Sequence, residues 1–144
     1  MHEKTVSLFK RALQIREKAY VPDHHLVASS LGNLGEAYLN LGELEEAEPL
    51  FKTSLSIYEK TFGPEHRTCA STFHRLANLY REWKKYEEAK PLYQKALTIG
   101  EKALPENHWM FANICEDYAV FLRIVNQIDE AEKLEARAKA IRNN

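Results

Sequence analysis

Apolar residues recur along this chain at three- and four-residue spacing over long stretches, the pattern of helices that each bury one face. Leu8, Ala12 and Ile15 share a side of the first stretch, which runs from about His2 to Ala19. Val21-Pro22-Asp23 interrupts it, and the pattern resumes from about His25 to Leu41. Gly42 follows, where a helix C-terminus calls for a left-handed residue, and Lys84 and Asn126 hold the equivalent places further on. The same spacing predicts helices over Leu44–Phe62, Thr68–Trp83, Tyr86–Ala103, Trp109–Val125 and Asp129–Arg142, with stops at Gly63-Pro64 and Leu104-Pro105. The chain therefore reads as all-α, with about seven helices whose short connections force antiparallel hairpins.

These hairpins echo one another with a period of 42 residues, seen in Lys18, Lys60 and Lys102. Leu13/Leu55/Leu97, Ile15/Ile57/Ile99, His24/His66/His108, Ala28/Ala70/Ala112 and Ala47/Ala89/Ala131 keep the same phase. A period of this size marks a stacked array, in which each unit buries its apolar face on its neighbours. Residues 22–63, 64–105 and 106–144 form three hairpin repeats of a single array, and residues 1–21 form the second helix of a truncated one. Pro49 and Pro91 recur inside the second helices, where proline removes a donor, so the first turn there is expected to be loose or kinked.

Within each hairpin the large and small residues follow one recipe. The first reads Leu31-x2-Leu34-Gly35-x2-Tyr38, then Ala47, Phe51 and Ser54; the second reads Phe73-x2-Leu76-Ala77-x2-Tyr80, then Ala89, Tyr93 and Ala96. The third is Cys115-x2-Tyr118-Ala119-x2-Leu122, then Ala131, Glu135 and Ala138. Gly35, Ala77 and Ala119 are small so that the two helices of a hairpin can approach closely, and the alanines facing them serve the same end. This recipe resembles the tetratricopeptide repeat. The longer period, with the phrases at 12–24 and 46–52, resembles the kinesin light chain type. The resemblance implies a right-handed superhelix acting as a protein–protein interaction scaffold, with the first helices of the hairpins lining a concave groove.

Residues of those first helices that packing does not use are the candidate contacts for a partner peptide. They are Ser29, Gly32, Asn33, Glu36 and Asn40, then His74, Arg75, Asn78, Arg81 and Glu82, then Asn113, Glu116, Asp117, Val120 and Arg123. The set most suited to binding is Asn33, Glu36, Asn40, His74, Arg75, Asn78, Arg81, Asn113, Asp117 and Arg123. A clamp for a terminal carboxylate, one mode the resemblance implies, is disfavoured by Glu36 and Asp117. A basic groove for a tryptophan-acidic peptide, another such mode, could use Arg75, Arg81 and Arg123, but Glu36, Glu82, Glu116 and Asp117 oppose it. A mixed-charge or partly apolar peptide fits better.

Charge and composition narrow the partners. The net charge is −1 over 144 residues, which gives no electrostatic reason for nucleic acid or an anionic membrane. No apolar run approaches the roughly 18 residues that span a bilayer, and the opening Met1-His2-Glu3-Lys4 does not read as a signal peptide. Cys69 and Cys115 sit at phases that hold Phe111 and Phe73 in a neighbouring repeat, so they read as buried apolar residues in a reducing cytoplasm. His24, His66 and His108 occupy the same point of successive loops, and packed helices stand roughly 8–10 Å apart, whereas metal–nitrogen bonds need about 2 Å. These histidines are expected to start helices, and no metal, cofactor or catalytic residue is expected. The alternative to a peptide scaffold is an assembly module, either a homodimer through the N-terminal helix or part of a longer array. The first helix favours it, since Leu8 and Ile15 lack a partner helix in their own hairpin. The last helix has the polar Glu135 and Lys139 of a capping helix.

Overall fold

A computed structural model describes residues 2–143, and among these residues the chain forms seven helices. They are α1 (His2–Ala19), α2 (His25–Leu41), α3 (Leu44–Phe62), α4 (Arg67–Glu82), α5 (Tyr86–Ala103), α6 (Trp109–Ile124) and α7 (Ile128–Arg142). The ends follow from local chemistry. His24, His66 and His108 adopt extended backbone, and each ring accepts the backbone N–H two residues on, at 3.1, 3.2 and 3.0 Å. Each histidine is thus an N-cap that satisfies a donor the first helical turn leaves open. Because His66 is the cap, α4 begins at Arg67, one residue before the spacing alone indicates. On the same edge, Lys60 pairs with Asp23 at 3.6 Å and Lys102 with Glu65 at 3.7 Å, which accounts for the recurrence of those lysines. These pairs are exposed and contribute little.

Helix exits are equally regular. Gly42, Lys84 and Asn126 all take positive φ, at 79°, 61° and 64°. The next residue's N–H then reaches back to Tyr38, Tyr80 and Leu122 carbonyls at 2.9, 2.8 and 2.7 Å, closing the helix with a Schellman turn. Pro49 and Pro91 stay inside α3 and α5. The first turn closes ahead of them, through the Ala47 N–H to Glu43 and the Ala89 N–H to Lys85.

α2 packs on α3, α4 on α5 and α6 on α7, while α1 lies against α2. The backbones of α2 and α4 approach each other, as do those of α4 and α6, whereas α3, α5 and α7 make no such approach among themselves. The first helices therefore form the inner side of the stack. Inside each hairpin, contact depends on small residues. A Cβ on Gly35 would stand 2.8 Å from the buried ring of Phe51, and Ala47, Ala77, Ala89 and Ala131 are all fully buried. Between hairpins, size is exchanged between partners. Tyr58 packs beside the cluster that holds Cys69, and one repeat later Gly100 makes room for Phe111, which a Cβ there would meet at 3.1 Å.

Lys84 is the one non-glycine, non-asparagine residue among these three left-handed positions, a conformation that costs an L-residue roughly 1–2 kcal/mol. Replacing it by glycine is expected to raise unfolding stability by about 0.5–1 kcal/mol after the added unfolded-state entropy is set against the relieved strain. Urea denaturation checks this, and a loss of stability contradicts the closing role of the turn.

Candidate functional site

The inner side carries two adjoining clefts. One, of about 170 Å³, lies between α2, α3 and α4 and is lined by Ser29, Asn33, Tyr58, Arg67, Ser71 and Arg75 among others. The second, of about 310 Å³, lies between α4 and α6 and includes Glu36, His74, Asn78, Trp109, Asn113 and Asp117. Ser71, Arg75 and Met110 line both, so the two clefts share a wall. A third cavity of about 340 Å³ lies away from these, between α5 and α7, where Gly100, Leu104 and Phe111 meet Arg137 and Ile141. Arg137 bridges it, pairing with Glu101 at 2.7 Å and covering the Phe111 ring at 4.7 Å.

The polar residues of the inner side are largely committed to one another across repeat junctions. Asp117 of α6 accepts from His74 Nε2 at 2.6 Å and from Asn78 Nδ2 at 3.0 Å, both on α4. A carboxylate only accepts, so the His74 Nε2 carries the proton in this contact. The carbonyl oxygen of Asn78 accepts from the Tyr93 hydroxyl of α5 at 2.6 Å, which fixes the amide's orientation. Arg81 reaches the Asp117 carbonyl at 3.3 Å. Burial pushes the Asp117 carboxyl up, but the hydrogen bond and charge of His74, with Asn78 and Arg81 behind them, outweigh it and hold the group below the usual aspartate value. One junction earlier the same phases hold Glu36 and Arg75, with Oε2 and Nε 3.8 Å apart.

Of the acids that disfavoured a basic groove, Glu36 and Asp117 are thus partners of the groove's own Arg75 and His74. Arg123 forms two bonds to Glu135 of α7, at 2.6 and 2.7 Å, and lines neither cleft. Arg142 of α7 reaches Asn113 and Glu116, and its hydrogen bond holds the Glu116 carboxyl below its ordinary value. Asn40 is exposed and also lines neither cleft. Asn33, Glu36, His74, Arg75, Asn78, Asn113 and Asp117 do line them.

Trp109, Met110, Tyr58 and Arg67 are cleft residues outside the sequence-derived set. Trp109 and Arg67 open their helices, where a residue reads as part of a helix start, and Tyr58 belongs to a second helix. Their signal was non-recurrence: His25, Arg67 and Trp109 share one phase with three different chemistries.

Reactive groups are scarce by the same geometry. Burial pushes the Cys69 thiol up and the Cys115 thiol up to about 11, so both are thiols rather than nucleophilic thiolates at neutral pH. The two are unbridged. Among the described residues no three His, Cys, Asp or Glu side chains gather as metal ligands, and no helix is long and apolar enough to cross a membrane.

A family profile described as tetratricopeptide repeat matches residues 1–60 and 28–102, most of the chain. The chain belongs to the tetratricopeptide repeat family. Among solved structures, this tetratricopeptide array resembles BtubC (BKLC) from P. vanneervenii, with 21% identity and a TM-score of 0.86 over 99% of this chain and 57% of that one. It also resembles a putative kinesin light chain from Podosopora anserina with nearly identical TPR-like repeats. There the identity is 26% and the TM-score 0.72, over 98% of this chain and 67% of that one. Apo RapI matches at 17% identity and a TM-score of 0.63, over 99% of this chain and 62% of that one. The array therefore spans about six-tenths of the length of these proteins. No curated protein matches the sequence. These matches make it a tetratricopeptide protein of the kinesin light chain type, a fold that supports protein-interaction scaffolds, and they indicate no enzymatic family.

Asp117→Ala is expected to cost about 1–3 kcal/mol, because His74 and Asn78 lose a charged acceptor in a half-buried site. A carboxyl depressed in the folded state contributes stability above its unfolded value of about 3.9 and loses it as pH falls through the lower folded value. The difference between wild type and variant, followed by urea unfolding across pH, should therefore be full at neutrality and shrink below about pH 4. Equal stabilities at neutral pH contradict the junction role.

Proposed function

We propose that the array is a non-catalytic scaffold that binds an extended partner peptide along the inner side of α2, α4 and α6. The observation that carries this reading is the continuity of the two clefts through Ser71, Arg75 and Met110, with Trp109 standing 60% exposed at their edge. An exposed tryptophan beside polar pockets is the kind of anchor on which binding energy concentrates. Asn33, Glu36, His74, Arg75, Asn78, Asn113 and Asp117 supply directional contacts. Their mixed charge suits a mixed-charge, partly apolar peptide. Arg123, Asn40 and Arg81 are better read as flanking or supporting residues, the first because Glu135 already occupies its guanidinium. The unbridged cysteines suit a reducing, cytoplasmic setting.

A second reading has its own support. Leu8 and Ile15 on α1 are 66% and 61% exposed, while Val6 on the opposite face is buried against α2. That apolar strip fits assembly, either through pairing of two α1 helices or within a longer array.

A peptide-array screen distinguishes the readings when it is run with wild type, Arg75→Glu and Trp109→Ala beside light scattering at high concentration. The groove reading expects peptides bound by wild type and lost in both variants, with Trp109→Ala costing about 2 kcal/mol or more in affinity. Peptides retained by both variants contradict it. A monomer at high concentration counts against pairing through α1.

A further inference from the structure

The cleft between α2 and α4 differs from the rest of the inner side in charge. Arg67 and Arg75 line it, and no carboxylate does. Its remaining polar groups, including Ser29, Asn33, Ser71 and Tyr58, are neutral donors or hydroxyls. This character is not a property of the repeat. At the next junction Trp109 stands at the phase of Arg67, Asp117 at that of Arg75, Asn113 at that of Ser71 and Gly100 at that of Tyr58. Stacking is achieved there with other residues in the places of Arg67, Ser71 and Arg75, so the repeat does not require those three, whereas Tyr58 also fills space beside the small Cys69.

Arg75 is also placed with care. Gly32 has no side chain, and a Cβ there would lie 2.8 Å from Arg75 Nη1, so the guanidinium rests against the α2 backbone. Glu36 meets only the Nε edge, at 3.8 Å, which leaves the terminal nitrogens of the fork for another acceptor. Tyr58 of α3 lines the same cleft as Arg75 and Ser29. In a chain of net charge −1, a cleft with two arginines and no lining acid calls for an anion.

The form of that anion follows from the number of donors. A carboxylate offers two oxygens, whereas a phosphate monoester carries about −1.5 to −2 charge and three terminal oxygens at neutral pH. Two guanidinium forks flanked by hydroxyls match the second better than the first. We infer that the α2–α4 cleft is a phosphate-binding subsite that takes a phosphorylated serine or threonine side chain of the peptide in the groove. This rests on the groove reading above and adds the class of residue recognised.

The test is a degenerate peptide library made in three versions, with phosphoserine, serine or glutamate fixed at the centre. Each version is titrated against wild type, Arg67→Gln, Arg75→Gln and Gly32→Ala, with thermal melts confirming that each variant folds. Wild type should hold the phosphoserine version about tenfold more tightly than the serine or glutamate version, the gain of one or more charged hydrogen bonds. That preference should fall toward unity in both arginine variants. It should also fall in Gly32→Ala, which removes no charge and replaces a helix-interior glycine by a better helix former. Equal binding of the three versions, or a phosphoserine preference that survives both arginine changes, overturns the subsite. If the three versions bind equally and Trp109→Ala, titrated alongside, abolishes binding, the groove stands and the phosphate subsite falls. If no version binds, both fall.

Discussion

The architecture depends on how closely two helices can approach within a hairpin. At Gly35 the separation is so small that the Phe51 ring occupies the space a side chain would need. In the following hairpins Ala77 and Ala89, and Ala119 and Ala131, keep their helices close with methyl groups that are all but fully buried. Interiors at crystal-like density tolerate neither voids nor extra methylenes at such places. Close hairpins in turn set how successive hairpins stack, bringing α2, α4 and α6 together while α3, α5 and α7 stay apart. The inner surface and its clefts are consequences of that asymmetry.

Recurring and non-recurring residues divide the labour. Positions that keep one role every 42 residues build the frame: histidine caps, left-handed exits and lysine–acid pairs along the loop edge. Those that change from repeat to repeat complement one another across a junction. Glu36 faces Arg75, and His74 with Asn78 faces Asp117. Tyr58 goes with the small Cys69, and Gly100 with the large Phe111. Placing the third repeat directly on the first would set Glu36 against Asp117, two acids in one half-buried contact, a repulsion that disfavours stacking which skips the middle repeat.

Helix positions were legible because their signals are local. Periodic apolar residues gave each span, and His24, His66, His108, Gly42, Lys84 and Asn126 marked ends to within a residue or so. The facing of α2, α4 and α6 came from the family resemblance, since periodicity identifies a buried face but not which side of a superhelix it serves. The state of the groove residues was not legible. Whether Arg75, Arg123 or Asp117 is free depends on partners on other helices, such as Glu36, Glu135 and His74, and nothing within one helix reveals that pairing. Trp109 and Arg67 escaped for a related reason: the first residue of a helix was read for its effect on the helix start, while its side chain turns into a cleft formed by two repeats.

The close approach can be tested at one atom. Gly35→Ala adds a methyl to a helix interior, a change that in isolation favours the helix by roughly 0.5–1 kcal/mol. Here the new Cβ would stand 2.8 and 2.9 Å from ring carbons of Phe51, a side chain with no exposed surface into which to retreat. Urea denaturation of the variant should therefore show a stability lower than wild type by about 1–3 kcal/mol, the usual cost of overpacking. A variant as stable as wild type, or more so, would contradict the claim that helix contact at Gly35 governs the hairpin.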